Sequence, residues 1–250
     1  MMIGKIKREL LTAFLALSVV AACTGPTTEQ RILSATEEVS INGLQPESVF
    51  NAGSALFEAW TPINIRGKGD WQLLSDSSSS DLTMQKFIIR GEAKESASGI
   101  ILETSIDPEA CPVLEWRWLV EAVQQSADLR LKDKDDVAAA LILMFGDPGM
   151  MSQPRPVPTL RYVWTGGGHE RNAVIANPYL PETVRNIVIR NREDPTNAWL
   201  SERRNVLQDY EAAFGNAPDY FVWAVALFID NDQTKEDAAA QFTKADSFCR

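Results

Sequence analysis

Between Cys111 and Phe145 the chain reads CPVLEWRWLVEAVQQSADLRLKDKDDVAAALILMF, and no other stretch restricts the fold as much. Its first part alternates: Leu114, Trp116, Trp118 and Val120 share one face of an extended strand, with Glu115 and Arg117 on the other. A charged loop follows. Asp135-Asp136 then opens Val137 to Phe145, an uninterrupted apolar run of the kind found in central strands covered on both faces. Strands like these need partners, and the chain supplies them. Met84 to Ile89, Gly99 to Ile106, Leu160 to Trp164, Val184 to Arg190 and Phe221 to Ile229 all read as strands. Trp60 to Ile65 and Trp71 to Leu74 flank a Gly67-Lys68-Gly69-Asp70 turn. Gln45-Pro46-Glu47 reads as a turn, and Ser75 to Asp81 and Asp147 to Pro158 as loops. One helix is expected, capped by Asn197 and carrying Leu200, Arg203, Leu207, Tyr210 and Phe214 at helical spacing, with Gly215 as its stop. The tail from Asp237 to Arg250 reads as a short helix and a closing strand. Without any alternation of strands and helices, the expectation is a mostly β protein. It should be an antiparallel β-sandwich, jelly-roll-like, with one late α-helix.

The N-terminal residues address the compartment. Lys5, Lys7 and Arg8 precede an apolar run from Leu10 to Ala22. That run is short of the ~20 residues a membrane span needs and suits the core of a secretory signal. It ends in Val20-Ala21-Ala22-Cys23, which resembles the bacterial lipoprotein cleavage box, whose cysteine is lipid-modified. The expected organisation is a signal peptide over 1–22, a lipid-anchored tether over 23–38 and a single sandwich domain over 39–250. By the same resemblance, Thr24 after the cysteine implies the outer membrane, periplasmic face. A net charge of -10 argues against nucleic acid and anionic lipid as partners and leaves neutral or cationic ligands and divalent cations open. With Cys23 acylated, Cys111 and Cys249 remain, either as a disulfide in an oxidising compartment or as two buried thiols.

Catalytic signatures are sparse. The single histidine, His169, stands in a glycine-rich turn, and no Gly-x-Ser-x-Gly elbow offers a nucleophile. A zinc site would want several Cys or His ligands. Phe228 to Thr234 runs into Asp-x-Asp-x-Thr, similar to the first motif of the haloacid dehalogenase phosphatases, but too little chain follows to build that α/β body. Asp230 and Asp232 offer oxygens at alternating positions, and Asp135-Asp136 opens another strand, so a structural calcium between loops is one reading. Lys235 and Gln241 stand where an EF-hand requires glycine and glutamate, so the site is not of that class. The competing reading has these aspartates capping turns and a helix at Glu236 to Ala240. Glu103 and Glu115, with Arg117 beside them, form a carboxylate pair for glycosidase chemistry if they face one cleft. Among the tryptophans, Trp116, Trp118 and Trp223 sit in apolar strands and read as core, whereas Tyr162, Trp164 and Trp199 lie near loops and suit stacking on sugar rings.

An ordered series of residues resembles a bacterial family catalogued as domain of unknown function 3047. The series runs Trp116-Arg117-Trp118, Asp135-Asp136, Tyr162-x-Trp164, Arg204-Asn205-Val206 with Asp209-Tyr210, Phe214-Gly215 and Asp230-x-Asp232-x-Thr234. The resemblance implies a shared fold and no particular activity. The functional expectation is a non-catalytic glycan-binding module of the cell envelope, with Glu115, Arg117, Asp136, Tyr162 and Trp164 meeting the ligand. Two alternatives stand beside it. One is a structural lipoprotein that docks an envelope protein through an exposed apolar patch, the other a glycan hydrolase using Glu103 and Glu115.

Overall fold

The computed structural model describes residues 43–51, 57–76, 86–148 and 155–250. The expected signal peptide, Cys23 and the tether lie outside these residues. In chain order the strands are β1 (Gln45–Asn51), β2 (Thr61–Arg66), β3 (Asp70–Asp76), β4 (Lys86–Glu92), β5 (Ala97–Ile106), β6 (Val113–Ala122), β7 (Val137–Phe145), β8 (Thr159–Trp164), β9 (Val174–Ala176), β10 (Val184–Arg190) and β11 (Leu200–Asn205). Helix α1 (Val206–Phe214) and strands β12 (Val222–Asp230) and β13 (Ala239–Cys249) follow.

The strands form a two-sheet sandwich. One sheet has the order β11-β6-β13-β4-β3, with β1 also paired to β13; the other has the order β2-β5-β12-β7-β8-β10-β9. The chain crosses between sheets from β1 to β2, β2 to β3, β4 to β5, β5 to β6, β6 to β7, β10 to β11, β11 to β12 and β12 to β13, the jelly-roll habit of closing a core by repeated crossing. The sandwich is not wholly antiparallel. Strand β10 inserts between β8 and β9 and runs parallel to β8, because the short β9 takes the edge and turns the chain back before β10 begins.

Three local expectations are corrected. Gln45-Pro46-Glu47 is no turn: it begins β1, paired with Cys249, Phe248 and Ser247, with Pro46 tolerated on an edge strand. Leu200 to Asn205 is extended, because pairing along the open edge of β6 (Leu200 opposite Trp118, Asn205 opposite Val113) outweighs its helical spacing. The helix therefore starts later. Asn205 is its N-cap, accepting from the Gln208 N–H at 3.2 Å, and Gly215 closes it in a left-handed conformation. Asn197 instead adopts φ 58° and donates its N–H to the Val120 carbonyl. The tail holds no helix; Ala239–Cys249 is one strand that pairs with β1, β4 and β6.

The core lies between the sheets, where Trp116 and Trp118 of β6 meet Tyr162 and Trp164 of β8. Ring centroids are 5.1 Å apart for Trp116–Tyr162 and 5.8 Å for Trp118–Trp164. At the end of β13 a disulfide joins Cys249 to Cys111, closing the last strand onto the entrance of β6.

Candidate functional site

Tyr162 and Trp164 are fully buried and face the other sheet, which corrects their assignment to a ligand surface. Alternation put Leu160, Tyr162 and Trp164 on one face of β8, and that face is the core. The Tyr162 hydroxyl donates to Asp209 Oδ2 at 2.9 Å, and Arg204 pairs with the same carboxylate. Burial and the Asp209 charge push the Tyr162 phenol well above its ordinary pKa, so it stays protonated as a donor. Trp118 donates from Nε1 to Glu202 at 2.9 Å, and Glu202 is held by Arg190 in two bonds of 2.8 and 3.0 Å. Polar side chains thus anchor two of the four large rings.

Glu115 pairs with Arg203 across β6 and β11, and the Arg117 guanidinium lies 5.8 Å from the Trp199 ring. These residues belong to the outer face of the β6 sheet, whereas Glu103 lies on β5 in the other sheet. Glu103 and Glu115 therefore cannot flank one bond, and the carboxylate pair expected for a glycosidase is corrected.

A concave feature lies elsewhere, on the outer face of the β12 sheet. It is a cleft of about 440 Å³ whose floor is built by β7, β8 and β12 (Ile142, Met144, Arg161, Ala226 and Phe228). Trp223 contributes from β12, and Asn177, Tyr179 and Leu180 from the loop between β9 and β10. Two local features set this floor. The register of β12 slips between Val222 and Ala224, so Trp223 is the extra residue of a bulge and turns toward the cleft. On β8, Arg161 occupies the face opposite the Leu160–Tyr162–Trp164 stripe, and so points away from the core.

Arg161 is the unusual member. It is only 8% exposed, yet Nε and Nη2 have no hydrogen-bond partner among the described residues, and its guanidinium lies over the Phe228 ring at 5.5 Å. Asn186, beside it in register on β10, is fully buried with both amide atoms unpartnered among the described residues. Asp135 accepts from Asn177 at 2.7 Å through Oδ2, while its buried Oδ1 has no partner among the described residues. Burial pushes the Asp135 carboxyl up to about 7, against the pull of the Arg161 charge and the Asn177 bond.

Asp136, Asp230 and Asp232 gather at the margin of the cleft, where β7 begins and β12 ends. All three are buried, and one carboxylate oxygen from each lies within 4.8 Å of the others. Asp136 accepts the N–H groups of Gln233 at 3.2 Å and Thr234 at 2.6 Å, and Asp230 accepts that of Asp232 at 3.2 Å. Asp136 is therefore part of this group and not a free ligand contact. Asp230 is pushed well above the usual carboxylate range by burial, then by the charges of Asp136 and Asp232. His169, by contrast, is buried in the loops, where Nε2 accepts the Leu129 N–H at 3.1 Å.

The model of the family described as protein of unknown function (DUF3047) matches residues 58–245. The chain belongs to this family. No curated protein matches it significantly. Among solved structures it is similar to a carbohydrate-binding module of the β-sandwich superfamily studied for promiscuous specificity (TM-score 0.42, 9% identity, 81% of this chain and 62% of that one). A family 11 carbohydrate-binding module from Clostridium thermocellum, in complex with a β-1,3-1,4-mixed-linked tetrasaccharide, gives 0.40 with 6% identity over 81% and 94%. The xyloglucanase domain of a type three effector from Sinorhizobium fredii, in complex with cellobiose, gives 0.41 with 11% identity over 85% and 100%. At these scores individual positions cannot be equated, so the site is read from its own geometry. Within the DUF3047 chain the ordered motifs divide in two. The tryptophan, tyrosine and Arg204–Tyr210 motifs build the core and helix α1, and the two aspartate motifs converge at the cleft.

Proposed function

We propose that this DUF3047 protein is a lipid-anchored envelope protein, held at the periplasmic face of the outer membrane, that binds a neutral glycan in the cleft without cleaving it. The anchor rests on the basic, apolar, small-residue, cysteine order that ends at Cys23. The observation that carries the ligand reading is Arg161, a buried cation in the lining of the cleft whose Nε and Nη2 have no hydrogen-bond partner among the described residues. A sugar hydroxyl can accept a hydrogen bond from a guanidinium while giving its own proton to a carboxylate, and Asp135 and Asn177 line the same cleft. Trp223 and Tyr179 add ring faces for the apolar face of a pyranose. The charged groups around the cleft offset one another, with Arg66 paired to Asp232 and Arg161 acting on Asp135 and Asp230, which suits a neutral chain.

Retention of the purified chain on immobilised neutral β-glucan, peptidoglycan and polyuronate tests this reading. Saturable retention on a neutral glycan or peptidoglycan, weakened at least tenfold in Arg161→Ala, is expected. Retention on polyuronate alone, or release of reducing sugar, contradicts it; release would fit Asp135 acting as a general acid, given its raised pKa.

A further inference from the structure

Asp136, Asp230 and Asp232 bring three buried carboxylates together, and among the described residues the cationic side chain bonded to them is Arg66. Arg66 reaches Asp232 Oδ2 at 3.2 Å from a side chain that is 66% exposed, so its charge is shared with solvent. The other oxygen of that carboxylate tells more. The Asp232 side chain is 4% exposed, and its Oδ1 is sealed from solvent with no hydrogen-bond partner. A carboxylate oxygen stripped of water and given no donor among the described residues, on a side chain gathered with two further carboxylates, is a poor arrangement for protein atoms alone. A cation held between the three carboxylates would supply its partner.

The donors define its class. All are oxygens, with the single histidine committed to the Leu129 N–H. Carboxylate oxygens suit hard cations. Calcium bonds oxygen at about 2.3–2.6 Å, so one ion spans two oxygens up to about 5 Å apart, which covers the separation here. The backbone donors on Asp136 and Asp230 leave each oxygen a second lone pair, so they orient these carboxylates without using them up.

We propose that Asp136, Asp230 and Asp232 hold a divalent cation of the calcium class where β7 begins and β12 ends. The ion ties the Asp230–Thr234 segment to Asp136 and sits beside Asp135 at the cleft wall. The sequence supplies this centre from two motifs far apart in the chain, and β12–β7 pairing, with Asp230 opposite Val137, brings them together.

Calorimetric titration of the chelator-treated full chain with calcium chloride alone, paired with thermal unfolding, tests the proposal apart from any glycan. One saturable equivalent of calcium and a rise of several degrees in melting temperature are expected. Asp232→Asn keeps the shape and removes a charge; it should weaken calcium binding at least tenfold and leave the calcium-free melting temperature unchanged or higher. That second readout separates a lost site from a lost fold. Absence of binding at millimolar calcium overturns the proposal, as does binding that Asp232→Asn leaves intact.

Discussion

Arg161 and Asp209 show how two buried charges on one domain are handled differently. Asp209 is fully engaged, by Arg204 and by the Tyr162 hydroxyl, and belongs to the core. Asp209→Ala strands a buried guanidinium and a buried phenol, and chemical denaturation should show a loss of about 3–5 kcal/mol. Glycan retention per folded molecule should not change. Arg161 has no hydrogen-bond partner on Nε or Nη2 among the described residues. Arg161→Met keeps the volume but leaves the buried Asp135 and Asp230 without the charge that acts on them, so unfolding should show a loss of about 1–3 kcal/mol, while retention is lost. His169 gives a third residue-scale expectation. Burial lowers its pKa below the ordinary value, since the neutral ring accepts from Leu129. The unfolded chain then takes up the proton first as pH falls below about 6.5, so this contribution to stability is present above that pH and lost through the folded pKa. Unfolding of His169→Gln across pH 5 to 7.5 should lack that segment of the slope.

At the scale of elements, alternation told which residues of β8 lie together but not which face is wet. Leu160, Tyr162 and Trp164 were legible as one stripe, and Arg161 as its opposite. The aromatic stripe reads equally well as a core or as a sugar platform, because both call for rings. Only the second sheet, with Trp116 and Trp118 against it, decides. Trp223 was illegible for another reason: a one-residue bulge moves it between faces, and nothing in VWAVALFID marks the slip. In β11 the spacing of Leu200, Arg203 and Leu207 favoured a helix, and the free edge of β6 overrode it. The helix that does form depends on its own cap. Asn205→Ala should cost about 1 kcal/mol in equilibrium unfolding, through loss of the bond to the Gln208 N–H.

For the whole molecule, the sandwich, the run of strands and the aspartate motifs were readable, because long apolar strands without intervening helices leave few alternatives. The parallel β8–β10 pair and the cleft were not, since the first depends on where β10 inserts and the second on strands and a loop that only the fold brings together. The Cys111–Cys249 disulfide spans 138 residues and fastens the last strand to β6. Its reduction should lower stability by about 2–5 kcal/mol, measured as a fall in melting temperature between oxidised and reduced protein. The account as a whole turns on whether the outer face of the β12 sheet is a sugar-binding floor. The most direct measurement is the dissociation constant of the purified chain for a neutral glycan, taken beside Arg161→Ala and Trp223→Ala. The account predicts saturable binding, weakened at least tenfold in both variants while their unfolding curves stay cooperative. Binding that survives both substitutions would contradict it, as would a parent chain that binds no glycan.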